Sequence, residues 1–164
     1  MIRPALAAFA LSLSAAAVSA QMPTAPQPYL AAASAGNIFE ITTSQIALMR
    51  TQNPAIRDFA MRMIADHTLA GNNALTAAKE ANVIAPPAIL DAQQRQQITQ
   101  LLNAPAGQFD RLYWQMQIAS HEKSLGLHRT FAQAGNEAQL RTFAARIAPV
   151  VENHLETARR HATR

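Results

Sequence analysis

The chain has 164 residues and a formal net charge of +4 at pH 7, which is enough chain for one domain with its own hydrophobic core. It contains no cysteine, so disulfides and thiolate ligands are excluded, and any metal site must use nitrogen and oxygen ligands. The charge is mild and forms no basic stripe interleaved with aromatic residues, which argues against a nucleic-acid partner. Five glycines, with frequent alanine, leucine and glutamine, favour helices.

Residues 1–20 have the pattern of a cleaved secretory signal peptide. Arg3 supplies positive charge, an alanine-rich apolar run follows, and the run ends in the small residues Ser19 and Ala20. A retained membrane anchor is the alternative, although the run is short for a membrane span. We therefore predict export, to the periplasm in the simplest case, with outer-membrane association as a further option. Nothing beyond this segment indicates a membrane.

Two long helices joined by a short link are predicted in the first half of the chain. A proline-rich, flexible lead-in over residues 21–27 precedes them. The first helix runs from about Tyr29 to Arg50, and the second continues to about Ala81. The second begins at Asn53-Pro54, because asparagine caps a helix and proline suits its first turn. A link this short makes the two helices antiparallel neighbours.

A long connection over about residues 82–104 follows, and Asp91 is a candidate cap for a short helix within it. The third long helix runs from about Pro105 to Ala134. The fourth opens at Asn136, with Gln139 three residues later as in a capping box. It contains Pro149, which should kink it.

Two short links on either side of one long connection are typical of an up-and-down bundle with a crossover. The predicted fold class is therefore all-α. We expect a ferritin-like four-helix bundle over residues 28–162, in which the crossover between the second and third long helices carries the short helix.

Each long helix places one ionisable residue on its apolar face: Glu40, His67, His121 and His154. At about 1.5 Å per residue, the four lie near the middle of their helices and are level to within about a turn or two. Antiparallel packing then brings one carboxyl group and three imidazoles towards one point in the core.

This cluster has two interpretations, because a buried ion needs partners. In the first, it is a polar layer in which Glu40 accepts hydrogen bonds from the histidines and fixes the helix register. In the second, it is a metal site, since three imidazoles and one carboxylate can bind a single zinc, copper or iron ion. Asp66 points about 100° away from its neighbour His67. It is either a surface charge near Arg62 or a residue that orients an imidazole.

Other polar and aromatic residues are interpreted as structural. Asp110 is expected to interact with the N-terminus of the third long helix, His128 to be half-exposed and His161 to be solvated. Tyr113 and Trp114 are expected to pack in the core. Core or boundary filling is expected of four methionines: Met49, Met61, Met63 and Met116.

Motifs on all four long helices also carry a family resemblance. They are Phe39-Glu40, Asp66-His67, the stretch FDRLY that opens the third helix at residues 109–113, His121, and Pro149 with His154. Over about residues 28–162 this combination resembles the bacterial family called domain of unknown function 4142. The resemblance implies an exported, ferritin-like four-helix protein, and many members are described as outer-membrane proteins. It implies no reaction, because the family has no established one.

Di-iron chemistry and several enzyme classes are not supported by the sequence. Di-iron bundles use Glu-x-x-His motifs on two helices, whereas Ile64, Ile118 and Val151 stand three residues before the core histidines. The chain lacks Gly-x-Ser-x-Gly and a glycine-rich phosphate loop, which argues against hydrolases and nucleotide binding. No catalytic residue is predicted.

Two functions therefore remain open. The first is a binding or structural role in the cell envelope, linked in one scenario to stress, in which the Glu/His layer specifies packing. The second is a single-site metal-binding protein that uses Glu40, His67, His121 and His154. The partner, the identity of the metal and the oligomeric state are not determined by the sequence.

Overall fold

The computed structural model describes residues 22–163, and the predicted signal peptide lies outside the described residues. All five regular elements in this range are helices: α1 Pro26–Arg50, α2 Pro54–Glu80, α3 Ala92–Asn103, α4 Ala106–Ala134 and α5 Ala138–Ala162. Four are long, and the short α3 lies in the crossover between α2 and α4. The predicted all-α bundle is confirmed.

Two of the predicted helix starts are built by capping side chains. The Asn53 side chain accepts a hydrogen bond from the backbone N–H of Ala55 at 3.0 Å, and Pro54 occupies the first helical position. Asp91 and Gln94 form a reciprocal capping box at the start of α3. Each cap satisfies backbone donors that have no partner within the helix.

Two other starts, those of α1 and α5, differ from the prediction. The lead-in is shorter than residues 21–27, because α1 already begins at Pro26. Proline lacks the backbone donor that a first turn leaves unpaired, so it costs nothing there. The cap of α5 is Glu137 rather than Asn136, since the Glu137 carboxylate accepts from the N–H of Leu140 at 3.1 Å. The N–H of Asn136 donates instead to the carbonyl of Thr24 at 3.1 Å.

The long helices pack as two hairpins, α1 with α2 and α4 with α5. Contacts of α1 with α4 and of α2 with α5 join the hairpins, and α3 lies against α1 and α4. Within residues 22–163, no helix combines the length and apolar character that a membrane span requires.

The core consists of two main apolar clusters at different levels of the bundle. One contains Met63 of α2 and Met116 of α4, and the other contains Ala74 of α2 and Leu127 of α4. Histidines 67 and 121 lie between these positions on their helices. The polar residues of the core therefore occupy a layer between two apolar clusters, which is where the sequence predicts them.

The prediction for the methionines is wrong at two positions. Met49 is 73% exposed and Met61 is 54% exposed, whereas Met63 and Met116 are buried. Met61 is two residues from Met63, which turns it about 200° around the helix and into solvent.

We expect Asn53→Ala to lower the free energy of unfolding by about 1 kcal/mol, because the first turn of α2 loses its side-chain acceptor. Urea denaturation followed by circular dichroism measures this change. The control is Gln52→Ala, which alters an exposed residue beside the cap. Equal stability of the two variants would show that the Asn53 cap contributes nothing.

Candidate metal centre

Three histidines from three different helices meet in the polar layer: His67 of α2, His121 of α4 and His154 of α5. All are buried, with exposed fractions of 5%, 1% and 3%. Their ring centroids are 5.5–5.7 Å apart. One ring nitrogen from each lies within 4.8 Å of one from each of the others. The helices thus bring three imidazoles to one point.

Each imidazole uses one nitrogen to hold its orientation. His67 Nδ1 lies 2.9 Å from Asn37 Oδ1, His121 Nδ1 lies 2.8 Å from the carbonyl of Gln117, and His154 Nε2 lies 2.9 Å from Asp66 Oδ2. All three partners are oxygen acceptors, so these ring nitrogens carry the protons and donate. The tautomer of each neutral ring is thereby fixed.

The opposite nitrogens of the three rings have no hydrogen-bond partner among the described residues. They are His67 Nε2, His121 Nε2 and His154 Nδ1, and all are buried. In the neutral tautomers, each of these atoms presents a lone pair and no proton. A buried acceptor without a donor is unfavourable. The cluster therefore contains three nitrogens with free lone pairs, which could act as ligands for a metal ion.

The electrostatics of the site keep two of the imidazoles, His67 and His154, neutral. Burial lowers the pKa of His67 well below its usual value, and the neighbouring His121 and His154 lower it further. Burial, helped by His121, also lowers the pKa of His154 to about 4, although Asp66 acts in the opposite direction. Neutral imidazole is the form that binds metal ions.

Glu40 lies beside this triad rather than within it. Its Oε1 is 3.6 Å from His121 Nδ1, the nitrogen that already donates to the Gln117 carbonyl. Burial raises the pKa of Glu40, and nearby His121, Ser120 and Gln117 oppose the rise. Neither carboxyl oxygen has a hydrogen bond of normal geometry within the described part of the chain. The carboxyl group thus faces the outer side of one imidazole.

Asp66 is half-exposed and accepts from His154 across the α2–α5 interface, as the orienting interpretation requires. Asn37, the corresponding partner of His67, was not predicted. The sequence contained a clue to this residue, because Asn37 precedes Glu40 by three residues and so shares its helix face.

The ring of Phe59 forms an apolar wall beside the histidines. Its centroid lies 6.3 Å from that of His121 and 6.5 Å from that of His154.

His128 is buried, with 4% of its surface exposed, whereas the sequence suggested half exposure. Its Nδ1 lies 2.9 Å from the hydroxyl of Tyr29. His128 follows His121 by seven residues, two helical turns, so both histidines face the core. The Tyr29 hydroxyl supplies the partner that makes this burial tolerable.

Two further expectations require correction. Asp110 accepts a hydrogen bond from the Thr51 hydroxyl at 2.7 Å, and this contact joins α4 to the α1–α2 link. His161 is half-buried and stacks on Trp114, with ring centroids 5.4 Å apart and planes at 11°. The aromatic face of Trp114 explains why His161 is not fully solvated. Tyr113 and Trp114 are buried, as expected.

The sequence matches the family described as "Domain of unknown function (DUF4142)" over residues 11–160, so the chain belongs to that family. No curated protein matches it significantly.

Solved structures share the fold. A DUF305 fragment from Deinococcus radiodurans has a TM-score of 0.73 and 12% identity, covering 84% of this chain and 95% of the fragment. CopM in its Cu(II)-bound form gives 0.72 and 14%, covering 85% and 96% respectively. The Cu(I)-bound form of CopM gives 0.69 and 14%, with the same coverage.

Acidification is expected to destabilise the metal-free protein between about pH 6.5 and pH 4. Burial lowers the pKa of His128 to about 4, whereas an unfolded histidine has a pKa of about 6.5. Between these values the unfolded chain binds a proton that the folded protein does not, so the free energy of unfolding falls as pH falls. His154 acts in the same direction. Glu40, whose pKa is raised, acts in the opposite direction.

Chemical denaturation in the presence of a chelator, at pH 7 and pH 4.5, measures this effect. The shift of His128 corresponds to about 3 kcal/mol, so His128→Gln should flatten the pH dependence. His161→Gln is the control, because it changes a histidine on the Trp114 face outside the cluster. A free energy of unfolding that does not vary with pH would contradict the neutral, buried state of these rings.

Proposed function

We propose that this DUF4142 protein binds one transition-metal ion through His67, His121 and His154, with copper the first candidate and zinc the second. The observation that carries the proposal is the orientation of the three rings. Each donates its proton to an oxygen of another residue and keeps its other, buried nitrogen unpaired, and one nitrogen of each ring lies within 4.8 Å of one nitrogen of each other ring. A polar layer built only for packing would pair these atoms with donors.

The spacing is compatible with metal binding after a small closure. Metal–nitrogen bonds of about 2.0–2.1 Å place tetrahedral ligands roughly 3.4 Å apart, and one ring nitrogen from each histidine lies within 4.8 Å of one from each of the others. Ring rotations and helix shifts of about an ångström would suffice. The outer hydrogen bonds to Asn37, Gln117 and Asp66 limit the rings to nearby orientations, which favours a preformed site.

Ligand chemistry favours copper or zinc over iron. Imidazole nitrogens suit both metals, and Cu(II) binds a given nitrogen site more tightly than Zn(II). Non-haem iron sites commonly add a carboxylate ligand, but here Glu40 faces the outer nitrogen of His121. CopM, which shares this fold, has been solved with Cu(II) and with Cu(I). This likeness is a further reason to test copper first.

A separate set of hydrogen bonds favours a packing role for other buried polar groups, which lie in or beside the polar layer. Ser44 of α1 and Tyr113 of α4 are joined by a hydrogen bond of 3.0 Å between their hydroxyl groups. The Gln117 amide donates to the Thr43 hydroxyl at 3.2 Å. These bonds fix the register of α1 against α4 without using the triad. We also propose export to the cell envelope, supported by the signal-like pattern of residues 1–20.

Untagged protein should bind one equivalent of Cu(II), measured by elemental analysis after gel filtration. The double variant His67→Ala/His154→Ala should lose it, because one ring nitrogen cannot retain the ion. His161→Ala is the matched control and should keep the full equivalent. Circular dichroism confirms that each variant is folded. Absence of bound copper and zinc in folded wild-type protein would overturn the proposal.

Asp66→Asn should weaken copper binding by about tenfold, measured by competition with a chromophoric chelator. The neutral amide no longer orients and polarises His154 as the carboxylate does. Asp58→Asn, at an exposed position of the same helix, should leave the affinity unchanged. Equal affinities of the two variants would exclude a role for Asp66 in positioning this ligand.

A further inference from the structure

A cavity of about 290 Å³ adjoins the triad. His67 and His154 form part of its wall, so an ion held by the triad would be reachable from this space. The rest of the wall divides into an apolar part, which includes Leu69, Ile147 and Val150, and a few polar side chains. A mostly apolar cavity with a few convergent polar groups is the usual form of a small-molecule site.

The positive charge of a metal ion at the proposed centre would favour binding of an anion. Three neutral imidazoles contribute no negative charge, so a bound Cu(II) or Zn(II) ion keeps its double positive charge. Three protein ligands also leave at least one coordination position free. Asp66 borders the cavity, but its Oδ2 is held by His154. A small anion entering from the cavity would supply both the missing ligand and the compensating charge.

Two side chains of the cavity wall suit the same anion. Arg146 supplies a positive charge at the rim, since it is exposed and lines the cavity. His128 also lines the cavity, and its Nδ1 is paired with the Tyr29 hydroxyl. A tyrosine hydroxyl that donates to Nδ1 leaves the proton of His128 on Nε2, where it can serve as a donor to an occupant.

We propose that the cavity binds a small aliphatic carboxylate, with its carboxylate group at the free metal position and its chain against Leu69, Ile147 and Val150. This inference rests on the proposed metal site. Arg146 is a positioning residue for the anion, and it has no role in holding the metal. The apolar wall makes the site selective for a carboxylate that carries an alkyl chain over an inorganic anion of equal charge.

The test titrates copper-loaded protein with azide, acetate and butyrate, and follows the Cu(II) absorption and paramagnetic resonance spectra. Butyrate should bind about tenfold more tightly than acetate, because two more methylene groups leave water. Arg146→Met should weaken acetate and butyrate by about fivefold. The control Arg160→Met, which changes an exposed arginine of α5 outside the cavity, should change neither. Copper content is measured in every variant.

A second variant separates the cavity from the metal. Ala70→Leu adds bulk to the cavity wall, so it should remove the preference for butyrate while azide still perturbs the copper spectrum. Copper-loaded protein in which butyrate binds no better than acetate would overturn this inference alone. A preference for butyrate that persists in Ala70→Leu would also overturn this inference and leave the metal site unaffected. Folded protein that binds no metal would overturn the proposed function and this inference with it.

Discussion

The cost of burying three imidazoles side by side, with ring centroids 5.5–5.7 Å apart, is the constraint on which the rest of the site depends. A buried histidine needs a partner for each ring nitrogen, and the described residues supply a partner for one nitrogen of each ring. Among the described residues, no side chain of the apolar clusters above and below the layer donates to the remaining ring nitrogens. Folding thus leaves three buried ring nitrogens without partners in a cluster of three imidazoles, and a cation is the simplest species that would satisfy all of them at once.

The position of each histidine could be predicted because helical periodicity is strong. Burial on an apolar line and depth along the helix together placed His67, His121 and His154 at one level, and the structure has them there. The direction of each ring was beyond sequence reasoning, because it depends on side-chain rotamers and on partners from other helices. Asn37 and the Gln117 carbonyl decide which nitrogen of two of the rings is hydrogen-bonded and which stays unpaired.

For Glu40 too, the sequence predicts the position of the residue but not the contacts of its side chain. Its helix face and depth predict a central position, and it is buried there. However, a helix face does not determine which atom of a neighbour a carboxyl group meets. In the structure Glu40 approaches the proton-bearing Nδ1 of His121. Errors at the helix ends have a related cause: Asn136 is a good capping residue, but its backbone is engaged by Thr24.

The position of Glu40 outside the triad affects which metal ions the proposed site would prefer. A carboxylate among the three lone pairs would add a fourth acceptor and a negative charge, which would raise affinity for hard cations that prefer oxygen. With the carboxyl group behind His121, the inner face is purely nitrogen and borderline-soft, which suits copper and zinc. In its ionised form, Glu40 would still favour positive charge on this side of the layer, because its Oε1 lies 3.6 Å from His121 Nδ1. In this geometry Glu40 lies outside the set of three histidines, so the ligand atoms of the proposed site are imidazole nitrogens alone.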